Sequence, residues 1–124
     1  MLEDLSGKKI LIVEDDKINQ LIARKMAQGL NATVEIADSG ERAIVMAQEN
    51  EYDLILMDIN MPPGMDGYEA ARQIRSSNEL IPIVAMTALE QEEMEERVKH
   101  TDLNGFLIKP LNRTKILETV GHYC

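Results

Sequence analysis

Short apolar runs alternate with longer amphipathic stretches, and the alternation occurs five times along the chain. The first apolar run, Lys9–Val13, has no polar interruption after its lysine, which is typical of a strand buried on both faces. Further strands are predicted over 33–37, 54–57, 81–86 and 105–108. The run over 33–37 is less apolar and is therefore expected near a sheet edge.

Helices are predicted between the strands from the spacing of apolar positions, over 17–28, 40–49, 68–76, 92–99 and 112–120. Asp16 and Ser39 stand just before two of them and are predicted N-caps. One helical face carries these apolar residues: Ile18, Leu21, Ile22 and Met26 in the first helix, and Ile116, Leu117 and Val120 in the last. Alternating strands and helices predict one doubly wound α/β domain with a mostly parallel five-stranded sheet.

The chain has 124 residues, 44% of them apolar and 28% charged, which suits a single globular domain with a core over about 8–121. No apolar run approaches the roughly 20 residues of a membrane span, and no signal peptide is recognisable at the N-terminus. The single cysteine, Cys124, permits no internal disulfide and no structural zinc site. These features favour a soluble, cytoplasmic protein.

The charge balance of 13 basic against 22 acidic residues gives a formal net charge of -9. An acidic chain repels the phosphate backbone of nucleic acids, so direct nucleic-acid binding is not expected. Binding to anionic membranes is disfavoured for the same reason. Any phosphate or metal is therefore expected at a local site.

Polar residues follow four of the five predicted strands. Glu14 and Asp15 follow the first strand, Asp58 the third, Thr87 the fourth and Lys109 the fifth. Ligands of open parallel sheets bind beyond the carboxyl ends of the strands, so these side chains are expected to converge.

Three carboxylates at one sheet edge repel one another, and a hard divalent cation such as Mg²⁺ is the natural ion to neutralise them. A carboxylate at the tip of a buried strand, as Asp58 is predicted to be, can act as a nucleophile and form an acyl phosphate. Thr87 and Lys109 would then supply a hydroxyl and a positive charge to the phosphoryl oxygens. Each residue alone has a structural interpretation, as a cap, a turn hydroxyl or a solvated charge, and their convergence argues against it.

Five segments stand in order along the chain: Val13-Glu14-Asp15-Asp16, Met57-Asp58-Ile59-Asn60-Met61-Pro62, Met65-Asp66-Gly67, Met86-Thr87-Ala88 and Lys109-Pro110. Together they resemble the receiver domain of two-component response regulators. The stretches Asn19-Gln20 and 83–88 look most like receivers of hybrid sensor histidine kinases. The resemblance covers essentially the whole chain, in order and with the expected spacing. It implies a flavodoxin-like sheet with strand order 2-1-3-4-5.

The resemblance implies that Asp58 is the phosphoacceptor. Mg²⁺, or Mn²⁺, would be held by Glu14, Asp15, Asp58 and the backbone carbonyl of Asn60. Lys109 would contact the phosphoryl group.

Two further residues are implied to switch with phosphorylation. Thr87 is similar to the family's switch hydroxyl, and Phe106 occupies the aromatic position that turns as the hydroxyl moves. The bond before Pro110 is expected to be cis. The sequence departs from the family in having Phe106 instead of the common tyrosine, and in a loop that is one residue longer at Pro62-Pro63-Gly64.

The implied function is a phosphorelay signalling switch, not an enzyme beyond its own phosphorylation and autodephosphorylation. A sensor histidine kinase or a histidine phosphotransfer protein would be the partner, and the face of the fourth helix, fifth strand and fifth helix is a possible dimer interface. No output domain follows Val120, so the chain is expected to signal by binding, to relay the phosphoryl group or to be a module of a longer protein.

Two other functions stay open at this point. One is a pseudo-receiver, a binding scaffold of the same fold that is not phosphorylated. The other, less favoured, is a Mg²⁺-dependent aspartyl phosphohydrolase of the haloacid dehalogenase type, which needs an acid where this chain has Asn60 and a cap insertion for which 124 residues leave no room.

Overall fold

The computed structural model describes residues 7–28, 31–59, 65–77 and 80–124. Within them five strands and five helices alternate, as the apolar pattern predicts. The strands are β1 (Lys9–Val13), β2 (Thr33–Ala37), β3 (Leu54–Asp58), β4 (Ile83–Thr87) and β5 (Gly105–Ile108). The helices are α1 (Lys17–Gln28), α2 (Gly40–Glu49), α3 (Gly67–Ser77), α4 (Gln91–Lys99) and α5 (Arg113–Tyr123).

The strands form one parallel sheet in the order β2-β1-β3-β4-β5, which confirms the implied topology. β2, the less apolar strand, lies at an edge as predicted. Val13 on β1 is opposite Met57 on β3. The next residues, Glu14 and Asp58, therefore end side by side where the strand order reverses, and this is where open α/β sheets bind ligands.

Alternate residues of the central strands fill two hydrophobic clusters, one on each face of the sheet. Leu11 and Val13 belong to the cluster that is covered by α2, α3 and α4, whereas Ile10 and Ile12 pack beneath α1 and α5. All four side chains are fully buried. Burial on both faces explains why β1 is continuously apolar instead of alternating.

The helix starts follow the predicted caps. Ser39 Oγ accepts a hydrogen bond from the Arg42 N–H at 3.0 Å, and Asp16 Oδ2 accepts one from the Asn19 N–H at 3.4 Å. Each bond satisfies a backbone donor that the first helical turn leaves without a partner. Both capping predictions are confirmed.

The fourth strand begins two residues later than predicted, at Ile83 instead of residue 81. Pro82 has no N–H to give to the ladder, although its carbonyl accepts a hydrogen bond from the Ile55 N–H at 2.9 Å. The prediction placed this proline inside the strand, and the missing donor moves it outside. The last helix is also longer than predicted and ends at Tyr123.

The apolar stripe of α1 is largely exposed. Ile18, Leu21 and Ile22 are 68%, 52% and 42% exposed, and Ala23 is the buried residue among the α1 side chains that the structure describes. None of the described helices has the length and apolar character needed to cross a bilayer. Ile18, Leu21 and Ile22 thus form an exposed apolar face on α1.

A hydrogen-bond network closes the opposite, amino end of the sheet around Asn104. Asn104 Oδ1 accepts from the Ile83 N–H at 2.8 Å and from Arg75 Nη2 at 2.7 Å. Arg75 also donates to the carbonyl oxygen of Asp102 at 3.1 Å, and the Tyr123 hydroxyl donates to the carbonyl oxygen of Asn104 at 3.0 Å. One asparagine therefore ties together α3, β4, the segment before β5 and α5.

Candidate phosphoacceptor site

Three acidic side chains converge at the carboxyl end of the sheet, as predicted. Glu14, Asp15 and Asp58 each place a carboxylate oxygen within 4.8 Å of the others. Glu14 and Asp58 are only 2% and 3% exposed, whereas Asp15 is exposed. The cluster thus has a buried floor and one acid on the solvent side.

Backbone contacts hold Glu14 in place. Its N–H donates to the carbonyl oxygen of Ala37 on β2 at 3.0 Å, and its own carbonyl oxygen accepts from Gln20 Nε2 at 2.6 Å. Its side-chain Oε1 accepts from the Asp16 N–H at 3.2 Å. The carboxylate is therefore positioned by the sheet and by the first turn of α1 together.

Lys109 reaches the acids from the end of β5. Its ammonium Nζ lies 3.3 Å from Asp58 Oδ1 and 3.4 Å from Glu14 Oε2. Its N–H donates to the carbonyl oxygen of Thr87 at 2.6 Å, which fixes the backbone from which the side chain extends. The bond between Lys109 and Pro110 is cis, as the resemblance implies.

The electrostatics of the cluster favour an added cation. Burial raises the pKa of Glu14 to about 7, with the nearby Asp58 charge acting in the same direction and the Asp16 N–H and Lys109 opposing it. Among the described residues, the three carboxylates face one ammonium, that of Lys109, so the fully ionised cluster carries an excess of two negative charges. The donors that the described residues offer here are carboxylate oxygens, which Mg²⁺ and Mn²⁺ prefer. The donor set fits such an ion.

Thr87 lies at the end of β4 and is 5% exposed. Its Oγ1 accepts a hydrogen bond from the Leu89 N–H at 3.1 Å, which closes a turn between β4 and α4. The neighbouring Met86 is in register with Asp58. The hydroxyl is therefore on the strand next to the acid and is also bonded to the loop that leads into α4.

Phe106 lies on β5, opposite Ala85 of β4, and is half-buried. It packs against the hydrophobic cluster beneath α2, α3 and α4. It also lines a groove of about 540 Å³ between α4, β5 and α5, together with Val98 and Tyr123. The aromatic ring thus contacts both the core and an accessible surface.

Asn60 and the longer loop at Pro62-Pro63-Gly64 lie outside the described residues. The described residues on either side of this loop are tightly joined. The Gly67 N–H donates to the carbonyl oxygen of Ile59 at 3.0 Å, and a Cβ on Gly67 would lie 2.5 Å from the carbonyl oxygen of Asp58. Only glycine permits this approach, and it fixes the start of α3 to the end of β3.

Two features of the site were missed from the sequence. The hydrogen bond from Gln20 to the Glu14 carbonyl was not predicted, because a glutamine on a helix is usually a surface residue. A cleft of about 390 Å³ also opens beside the acids, lined by Glu14, Asn19, Ile22, Lys109, Pro110 and Leu111. It connects the buried acid to the exposed apolar face of α1.

A family model described as the response regulator receiver domain matches residues 10–121. The match spans most of the chain, which therefore belongs to the response regulator receiver domain family. Receiver domains are signalling domains of two-component systems.

Similar proteins include both long and short members of this family. Histidine kinase 5 of Arabidopsis thaliana is 33% identical over 98% of this chain, and the match spans 16% of that relative's length. The polar-differentiation response regulator DivK of Brucella ovis is 31% identical, with 94% of this chain and 95% of DivK covered.

A solved structure shows the same fold with a metal ion. The receiver domain of the sensor histidine kinase PA1611 from Pseudomonas aeruginosa has a TM-score of 0.85 and 32% identity, covering 95% of this chain and 98% of that one. That structure has a magnesium ion coordinated in its active site cleft.

Proposed function

We propose that the chain accepts a phosphoryl group on Asp58 in a Mg²⁺-dependent reaction and changes its surface for partner binding in response. The observation that carries the proposal is the placement of Asp58. Its buried carboxylate lies 3.3 Å from the Lys109 ammonium and within 4.8 Å of two further acids. This arrangement suits a nucleophile that receives a phosphoryl group, because the ammonium can stabilise the negative charge on the incoming phosphoryl oxygens.

In the proposed reaction an Asp58 oxygen attacks the phosphorus of a phosphohistidine. The new bond joins that oxygen to phosphorus, the phosphorus–nitrogen bond breaks, and the imidazole of the donor leaves with the electron pair. Lys109 would balance charge on the phosphoryl oxygens. Glu14, Asp15 and Asp58 would hold Mg²⁺ or Mn²⁺, which when bound supplies positive charge beside the phosphoryl oxygens.

The donor is a sensor histidine kinase or a histidine phosphotransfer protein, and the apolar face of α1 is its docking surface. Ile18, Leu21 and Ile22 are exposed on this face. The cleft beside Ile22 leads directly to Glu14 and Lys109. A protein seated there would bring its phosphohistidine to the carboxyl end of the sheet, and burial of the three apolar side chains would stabilise the complex.

Switching would begin at Thr87. If its hydroxyl turns toward a phosphoryl group on Asp58, the bond to the Leu89 N–H is disturbed and the loop into α4 must adjust. Phe106, which lines the groove between α4, β5 and α5, then transmits the change to that face. We assign partner binding or dimerisation to the same face.

The test is intact-mass measurement after incubation with acetyl phosphate, with Mg²⁺ or with a chelator. A gain of one phosphoryl group that requires Mg²⁺ and disappears in Asp58→Asn is expected. Asp66→Asn is the matched control, because Asp66 is an exposed acid whose Oδ1 caps the Glu69 N–H, a role that asparagine retains. No mass gain in any condition would leave the chain as a pseudo-receiver, a binding scaffold that is not phosphorylated.

A further inference from the structure

Helix α4 is weakly attached to the rest of the domain. All nine of its residues are described, and Met94 alone is buried. Its N-cap residue, Glu90, makes no side-chain capping hydrogen bond, whereas Ser39 and Asn112 cap α2 and α5. A helix held by so few apolar and capping contacts is displaced at a small cost in free energy.

Tyr68, the second residue of α3, supplies two contacts that hold α4. Its hydroxyl donates to Met94 Sδ at 3.7 Å, and the guanidinium carbon of Arg97 lies 5.7 Å from the centre of its ring. Arg97 Nη2 also bonds Glu93 Oε1 at 2.9 Å, which steadies the guanidinium beside the ring. A cation at this distance from an aromatic face is attracted to it.

The position of Tyr68 is set by β3. The preceding residue, Gly67, is bonded to Ile59 and packs directly on the carbonyl oxygen of Asp58. The Tyr68 ring therefore belongs to the same rigid unit as the phosphoacceptor strand. Because α3 is anchored in this way and α4 has few such contacts, α4 is the helix that would be displaced if the two moved apart.

Thr87 is linked to the start of α4 through the loop between β4 and α4. Its Oγ1 holds the Leu89 N–H, and α4 begins two residues further on, at Gln91. A cavity of about 290 Å³ lies between this loop and the side chains of Tyr68 and Arg97. A shift of the loop with Thr87 would move the start of α4 relative to Tyr68 and disturb both contacts.

We infer that Tyr68 is a positioning residue that restrains α4, and through it Thr87, in the arrangement in which Thr87 bonds Leu89. The inference rests on the proposed function and adds to it a residue that sets how readily the switch responds. Contacts that favour one arrangement lower the affinity of any ligand that requires the other, by the same factor. Loss of the Tyr68 contacts should therefore make the switch easier to turn on.

The test measures binding of beryllofluoride with Mg²⁺, since beryllofluoride occupies the place of a phosphoryl group on a carboxylate. Arg97→Met keeps the aliphatic part of the side chain and removes the cation. It should bind beryllofluoride about two- to five-fold more tightly than the unsubstituted protein, the factor that a cation–π contact at an exposed site is worth. Tyr68→Leu removes both contacts and should tighten binding at least as much.

Arg72→Met on α3 is the matched control. Arg72 is exposed and pairs with Glu69 as Arg97 pairs with Glu93, and among the described residues its guanidinium has no aromatic ring beneath it. Removal of a positive charge weakens attraction for an anion. Arg72→Met should therefore bind beryllofluoride as well as the unsubstituted protein or slightly less well. Tighter binding by Arg97→Met could then not be explained by the loss of a positive charge.

Hydrogen exchange provides a readout that does not depend on phosphoryl chemistry. The backbone amides of α4 should exchange faster in Arg97→Met and Tyr68→Leu, with those of α5 unchanged. Unchanged exchange in α4, or faster exchange without tighter beryllofluoride binding, would overturn the role of Tyr68 alone. Failure of the unsubstituted protein to bind beryllofluoride would overturn the proposed function, and the restraint on Thr87 with it.

Discussion

The two ends of the sheet are built on opposite principles. At the carboxyl end Glu14, Asp15 and Asp58 crowd together against one ammonium group, and burial raises the pKa of Glu14 to about 7. At the amino end Arg75 and Asn104 form a network in which donors meet acceptors across four elements.

The comparison indicates that the amino end of the sheet contributes to stability, whereas the carboxyl end carries a cluster that lowers it. The acid cluster opposes folding when it is fully ionised, because burial penalises its charges and the carboxylates repel one another. The Asn104 network and the two hydrophobic clusters hold the sheet together from elsewhere. A site can store unfavourable electrostatics only when the surrounding structure maintains its geometry.

The largest expected effect is on the pH dependence of stability. The pKa of Glu14 is about 7 in the folded protein against 4.5 ordinarily, so the folded state holds this proton more tightly. The stability that protonated Glu14 contributes is fully present below about pH 4.5 and is lost as the pH rises through 7. This loss lowers the free energy of unfolding by at most about 3 kcal/mol. Urea unfolding without divalent metal should therefore show a decline in the free energy of unfolding between pH 5 and pH 8.

Glu14→Gln should lack this part of the decline, because the amide has no proton to lose. Mg²⁺ should restore stability to the unsubstituted protein at pH 8 and have little effect at pH 5. The same decline with pH in both proteins would show that ionisation of Glu14 does not destabilise the fold.

The second effect comes from removing the Asn104 hydrogen-bond network at the amino end of the sheet. Asn104→Ala leaves the Ile83 N–H and Arg75 without their side-chain acceptor and should lower the free energy of unfolding by about 2 kcal/mol. Asn112→Ala is the matched comparison, because the Asn112 side chain makes a single capping bond to the Lys115 N–H and its loss should cost about 1 kcal/mol. Equal losses of unfolding free energy in the two variants, measured by urea unfolding, would show that the Asn104 network stabilises the fold no more than a single helix-capping bond does.

The third effect tests whether the exposed face of α1, beside the carboxyl end of the sheet, binds the protein that donates the phosphoryl group. Ile22→Lys places a charge on the exposed face of α1 and should slow phosphoryl transfer from a histidine phosphotransfer protein about tenfold, equivalent to about 1.4 kcal/mol. Transfer from acetyl phosphate and the free energy of unfolding should hardly change.

Val45→Lys on α2 is the control for Ile22→Lys, since Val45 is 39% exposed against 42% for Ile22. Val45→Lys should accept phosphoryl groups from both donors, the histidine phosphotransfer protein and acetyl phosphate, at the rate of the unsubstituted protein. If both lysine variants slowed transfer equally, the effect would be one of overall charge, and α1 would not be the docking surface.

Much of the fold and the site follows from local pattern. A run such as Lys9–Val13 is typical of a strand buried on both faces, as in a parallel α/β sheet, and the residue after such a strand emerges at its carboxyl end. These two rules place Glu14 and Asp58 together without knowledge of any contact. Lys109 and Thr87 are brought to the same edge by the same reasoning.

Other features depend on packing that the pattern does not contain. The stripe of Ile18, Leu21, Ile22 and Met26 has the spacing of a core face. Met26 does pack against the core, beside the smaller Ala23, but the other three side chains are exposed. The role of Asn104 is equally hidden, because a polar residue just before a strand is typical of an ordinary loop position. In both cases the outcome depends on which neighbour reaches the residue from a distant part of the chain.

Gly67 has no part in the proposed chemistry, yet the space around it is confined as strictly as that around the proposed nucleophile, Asp58. A single methyl group there would lie 2.5 Å from the carbonyl oxygen of Asp58. In a survey of tolerated substitutions, position 67 would accept as few residues as position 58, although it never touches a phosphoryl group. Under the proposed function, intolerance at position 58 would reflect a reaction, whereas at position 67 it would reflect a lack of room.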